Sequence, residues 1–136
     1  MLPAAARLRR RADFVTTVRR GRRRGHGAVV VHVRLAEPAD HQADAQVRVG
    51  FVVSRAVGGA VARNRVRRRL QHVVAERLGS LPEGAALVVR ALPDAAGRGY
   101  QQLAEDFEAA LRGALNPRRR GSGNRRPRPA TTAPST

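Results

Sequence analysis

Apolar and polar positions alternate from Ala28 to Leu35, with Val29, Val31, Val33 and Leu35 on one side and Val30, His32 and Arg34 on the other. That period of two predicts a strand. It returns over residues 47–54, where Val47, Val49, Phe51 and Val53 oppose Arg48, Gly50, Val52 and Ser54. Residues 36–46, with Pro38 and three acids, read as a loop, and its length suits an antiparallel pairing of the two strands. The period then changes. Val66, Leu70, Val73, Val74 and Leu78 recur at three and four, predicting a helix over about residues 59–78 that ends at Gly79–Gly84. Residues 85–91 form a third strand. Tyr100–Leu115 is again helical, with Leu103, Phe107, Ala110, Leu111 and Leu115 inward and Glu105, Asp106 and Glu108 outward. Ahead of all these, Phe14, Val15 and Val18 mark a short helix over about residues 11–20, stopped by Gly21. Residues 1–12 are a lead-in with Leu8 as its apolar anchor.

Charge changes the picture. The chain has 136 residues and a formal net charge of +17, and its 27 basic residues are all arginine. Such an excess calls for a polyanionic partner, because each phosphate neutralised releases condensed counterions. The densest site is the start of the long helix, where Arg63, Arg65, Arg67, Arg68 and Arg69 surround Asn64. At about 100° per residue, Asn64, Arg65 and Arg68 project away from the apolar stripe. Arg69 lies beside them, and Arg63 and Arg67 lie on a flank. A merely solvated face would mix in glutamates for i,i+4 support, yet no acid follows until Glu76. Five cations at the dipole-positive end of a helix repel one another unless an anion lies between them. Residues 19–25 (RRGRRRG) make a second cationic zone, too flexible and charged to pack.

Other chemistry is sparse. With no cysteine there is neither a disulfide framework nor a thiolate metal site, which is compatible with the cytosol. No apolar run approaches the roughly 20 residues that span a bilayer, and no secretory signal pattern opens the chain. Asp40, His41 and Asp44 lack metal-ligand spacing and read as loop polarity. A nucleoside triphosphate loop is absent. Residues 116–136 carry six arginines and no bulky apolar side chain, the composition of a disordered tail beyond a domain covering residues 1–115. No small-molecule site emerges.

The run RVGFVVSRAVGGAVARNRVRRRL, residues 48–70, closely resembles the signature of the bacterial ribonuclease P protein component. Arg63-Asn64-Arg65 followed by Val66, Arg67 and Arg68 carries the likeness, with Val49-Gly50, Ser54-Arg55 and Val57-Gly58 before it. Arg7-Leu8, Asp13-Phe14, Val18 and Gly21 extend it, so that it covers about residues 7–115. The resemblance implies an α/β (α+β) two-layer sandwich like domain 2 of ribosomal protein S5. That fold has three helices, a mixed sheet of about four strands and a left-handed β-α-β crossover, its missing strand falling near residues 22–27.

It also implies a role: an endoribonuclease subunit, cytoplasmic, partnered by ribonuclease P RNA and precursor tRNA, in which the RNA supplies the active site and its Mg2+. The protein then holds no catalytic residue and no metal. Arg55, Arg63, Asn64, Arg65, Arg67, Arg68 and Arg69 would face the catalytic RNA. Phe14, Val18, His32 and Arg34 would line a cleft for the 5′ leader, where bases stack on aromatic platforms. Departures from the pattern thin that stacking: Val18 and His32 stand where relatives carry aromatics, Gly59 where they carry Asn, and Ala56 where they carry a basic residue. The alternative reading is a ribosomal or assembly protein that binds structured RNA without cleavage. A self-sufficient nuclease would need an acid cluster beside the basic face, and DNA compaction would not need the strand-to-helix turn.

Overall fold

The computed structural model describes residues 6–35 and 46–116. The loop acids Asp40 and Asp44, His41 and nearly all of the tail lie outside them. Within the described residues, α1 (Arg11–Arg20) leads into β1 (Arg22–His26) and β2 (Val29–Arg34). Then come β3 (Arg48–Val53), α2 (Ala60–Ala75), β4 (Ala86–Ala91) and α3 (Tyr100–Leu115). One four-stranded sheet results, in the order β1-β2-β4-β3.

The strand pairings correct one expectation. β2 does not pair with β3; it pairs antiparallel with β4, opposing Val31 to Val89. β3 lies on the far side of β4 and runs parallel to it, Phe51 beside Val89. The connection β3-α2-β4 is therefore a crossover of the kind parallel neighbours require. Alternation shows which side of a strand is buried but not which strand lies beside it. β1 also corrects the reading of residues 19–25 as too charged to pack. Arg22, Arg23 and Arg24 pair with Val33, His32 and Val31 as the edge strand that the family resemblance placed near residues 22–27; backbone bonds to β2 hold the chain, Arg23 is exposed and the Arg24 side chain lies against Gly113 of α3.

Two layers follow from the period of two. Val29, Val31 and Val33, Leu87, Val89 and Ala91, and Val49 and Val53 form the inner face. They pack under Val66, Leu70, Val73 and Val74 of α2 and Leu103, Phe107, Ala110 and Ala114 of α3. The other sheet face carries a smaller cluster, Leu8, Ala86 and Val88, with Phe14 and Val52 against it. Leu8 is the anchor expected of the lead-in: its N–H donates to the Val49 carbonyl at 2.9 Å, so the N-terminal segment covers part of the open edge of β3.

The helices differ from expectation in two places. On α1, Phe14 and Thr17 turn toward the sheet, while Val15 and Val18 are 45% and 40% exposed. Phe14 and Thr17 are three residues apart and share a face, so the polar Thr took the place that hydropathy gave to Val15. On α3, Asp106 is not outward but 4% exposed. It accepts the Ala28 N–H at 3.1 Å and pairs with Arg98 at 3.3 Å, tying the turn between β1 and β2 to the segment before α3. Glu105 and Glu108 are exposed as expected. α2 ends at Ala75 and Leu78 falls in a following 3-10 turn. There Arg77 donates to Glu108 and to the Val73 carbonyl, each at 2.7 Å, and Tyr100 hydrogen-bonds Glu76, clamping the ends of α2 and α3 together.

Candidate nucleic-acid interface

Backbone geometry builds the first site. After β3 the chain turns over Ser54–Gly58, with Val57 and Gly58 N–H groups donating to the Ser54 and Arg55 carbonyls at 3.1 Å each. Gly58 sits at φ +151°, a conformation that side chains disfavour, and the turn aims the next residues into α2. Helix α2 begins at Ala60 with no capping side chain and no acid in its first turn. Its positive terminus therefore adds to the arginine field rather than being neutralised.

The arginines then divide by what holds them. Arg63 donates through Nε to the Gly58 carbonyl at 3.2 Å, bracing the turn. Arg67 donates to Asn64 Oδ1 at 3.1 Å, so that these two neighbours orient each other. Arg69 reaches the Arg98 carbonyl at 2.8 Å and braces the segment before α3. Arg65 and Arg68, like Arg55 in the turn, are exposed. Among the described residues the ion pairs lie elsewhere, at Arg77 and Arg98. Asn64, Arg65, Arg68 and His72 present one exposed side of the helix. His72, which the sequence reading did not single out, shares that side because it follows Arg68 by four residues.

The second site is the sheet face under α1. Its central row runs Arg23, His32, Val88, Gly50 across β1, β2, β4 and β3. Phe14 lies on Gly50 so closely that a Cβ there would collide with the ring at Cζ. Glycine is what lets the aromatic ring reach the sheet. Val18 is exposed on the next turn of α1. His32 is 3% exposed, not partly solvated as a lone strand histidine usually is, and neither of its ring nitrogens has a hydrogen-bond partner. Burial, then the positive charges of Arg23 and Arg90, hold its pKa below the ordinary 6.5, so the ring is kept neutral. The Thr17 hydroxyl, buried in the same layer, also lacks a partner. Arg34 is half-buried at the end of β2, opposite Ala86.

Site residues from the sequence thus gather into two groups. Arg55, Arg63, Asn64, Arg65, Arg67, Arg68 and Arg69 belong to the turn and α2. Phe14, Val18, His32 and Arg34 belong to α1 and the outer sheet face. β3 separates the two groups, touching α2 on one side and Phe14 on the other. Among the described residues no group of three His, Cys, Asp or Glu side chains could hold a metal ion. No helix among them is long and apolar enough to cross a membrane.

A family model described as Ribonuclease P matches residues 2–115. The ribonuclease P protein component of Salinispora tropica is 54% identical over 135 residues, covering 90% of this chain and 99% of that protein. The same component from Streptomyces bikiniensis is 53% identical over 118 residues, covering 85% and 96%. Among solved structures, the Staphylococcus aureus RNase P protein shares the fold with a TM-score of 0.70 at 23% identity, covering 81% of this chain and 95% of that one. The Thermotoga maritima RNase P protein, in complex with 1-(4-fluorophenyl)-2-thiourea, gives a TM-score of 0.65 at 26% identity, covering 77% and 96%.

Proposed function

The chain belongs to the ribonuclease P protein family, and from that premise we propose that it is the protein subunit of a bacterial ribonuclease P. It binds the enzyme's RNA subunit and precursor tRNA, and supports endonucleolytic removal of the 5′ leader in the cytoplasm. Residues 1–115 serve as the RNA-binding domain. The observation that carries this reading is the exposed side of α2, where Arg65 and Arg68 stand clear of any carboxylate among the described residues.

Roles follow from what holds each side chain. Arg65 and Arg68, with Arg55 and Asn64, meet phosphates of the RNA subunit. Arg67 joins them in an orientation set by Asn64. Arg63 and Arg69 act mainly by bracing the turn and the segment before α3, since a carbonyl already takes part of each guanidinium. Leader nucleotides lie along α1 and the outer sheet face. Phe14 offers a stacking platform worth about 1–3 kcal/mol per base, while His32 and Thr17, buried beneath α1, shape the floor of that path from within. Arg34 and exposed Val18 flank that path. Hydrolysis and Mg2+ binding belong to the RNA. The protein lowers the cost of bringing polyanions together, and the benefit is greatest where magnesium is scarce.

Reconstitution tests the reading. Added to a bacterial ribonuclease P RNA, the chain raises the rate of precursor-tRNA cleavage at low magnesium. Unchanged cleavage at a protein concentration that saturates the RNA sinks it.

A further inference from the structure

One bulky apolar side chain stands where neither solvation nor helix propensity favours it. Val61, in the first turn of α2, is 72% exposed, the most exposed large hydrophobic among the described residues. At about 100° per residue it shares one stripe with Arg65, Arg68 and His72, about 16 Å long at 1.5 Å per residue. All four are exposed. Singly exposed valines are ordinary on protein surfaces. This one occupies a helix turn where an acid would gain from the dipole and an alanine from propensity, and it is followed by cations on its own side.

We propose that Val61 is an RNA-contact residue: it packs against the ribose or base of a nucleotide whose flanking phosphates are held by Arg65 and Arg68. The partner is RNA because the surround is cationic and without carboxylates among the described residues, which suits a polyanion and repels a second copy of a chain carrying +17. Between its phosphates an RNA strand offers apolar sugar faces and base edges, the complement of a methyl pair between guanidinium groups. The contact gives the interface a part that salt does not screen, whereas phosphate contacts weaken as counterions accumulate. The inference rests on α2 being the face that meets the RNA subunit.

The test is equilibrium binding of the full chain to a bacterial ribonuclease P RNA over a series of monovalent salt concentrations. It compares Val61→Ala, Val61→Thr, Val61→Lys and Arg68→Ala, each checked for an unchanged melting temperature. Loss of one to two buried methyl groups predicts roughly four- to fifteenfold weaker binding for the Thr and Ala variants at every salt concentration, with the slope of log K against log salt unaltered. Val61→Lys binds more weakly than wild type despite its added charge, and Arg68→Ala lowers the slope. Wild-type affinity in Val61→Ala and Val61→Thr, with Arg68→Ala weakened, overturns the apolar contact and leaves the reading of α2 standing. Wild-type affinity in all four overturns both. Tighter binding by Val61→Lys makes the stripe purely electrostatic and refutes the proposal. So does lost self-association of the free chain with RNA affinity intact, which would assign Val61 to a second copy.

Discussion

Gly50→Ala probes the outer sheet face without deleting any side chain that would touch RNA. Gly50 lies in the central row of the sheet beside Val88, and Phe14 rests directly on it. A methyl at residue 50 would overlap the ring at Cζ and Cε1, and its other edge atom, Cε2, would lie only 3.0 Å away. The ring must lift, and with it the part of α1 that carries it. Overpacking of this kind costs about 1–3 kcal/mol. The lifted ring also leaves Leu8 and Val52, which share its cluster, more exposed. Because the cost comes from one pair of groups, it should vanish once the ring is gone. Urea denaturation of wild type, Gly50→Ala, Phe14→Ala and the double variant therefore gives a coupling energy of about 1–2 kcal/mol, with Gly50→Ala nearly neutral in the Phe14→Ala background. The three variants, reconstituted with the RNA subunit, should lose affinity for leader-bearing precursor tRNA relative to wild type. Affinity for tRNA lacking a leader should stay close to wild type. A penalty for Gly50→Ala that persists without Phe14 refutes the packing argument. Equal losses with and without the leader refute the placement of the leader on this face.

Four further outcomes are expected. Arg69→Ala breaks the bond to the Arg98 carbonyl and should cost about 1–2 kcal/mol of stability while leaving the salt slope of RNA binding intact. Arg65→Ala should do the reverse, lowering the slope by roughly 0.7–0.9 with stability within about 0.5 kcal/mol of wild type. His32 has a folded-state pKa below the unfolded 6.5, so the unfolded chain binds more protons and stability is lost as pH falls below that value. Phe14 and Thr17 of α1 and Arg23 and Arg90 of the neighbouring strands offer it no carboxylate. Melting temperature should fall more steeply between pH 7 and pH 5 for wild type than for His32→Phe, and parallel curves would show that His32 does not contribute. Asp106→Ala leaves the Ala28 N–H and Arg98 without their buried acceptor and should destabilise by about 1–3 kcal/mol. Asp106→Asn, which keeps an acceptor for the Ala28 N–H, should cost less in the same melts.

What the sequence made legible, and what it hid, follows from the range of each interaction. Alternation at residues 29–33 and 49–53 and the three-four spacing on α2 are local, and Val29, Val31, Val33, Val49, Val53, Val66, Leu70, Val73 and Val74 are buried as their periods require, with Phe51 partly so. The arginine face of α2 was legible for the same reason, since a helix fixes its own azimuths and the acids were already missing from the one-dimensional pattern. Pairing partners were not. β2 and β3 are sequential, but the helix that intervenes between β3 and β4 makes those two parallel neighbours, and β4 inserts between β2 and β3. Asp106 was misplaced because its partners, Ala28 and Arg98, come from other parts of the chain, and a carboxylate on a helix reads as solvent-facing unless they are known. Arg69 looked like Arg68 for the same reason; only the Arg98 carbonyl distinguishes them. Val61 is the converse. Its exposure could have been read from the helix wheel, yet a lone valine does not stand out in a chain that is 42% hydrophobic until the packed core has been subtracted. What remains after that subtraction is a cationic stripe with one apolar step in it, Val61 among Arg65, Arg68 and His72.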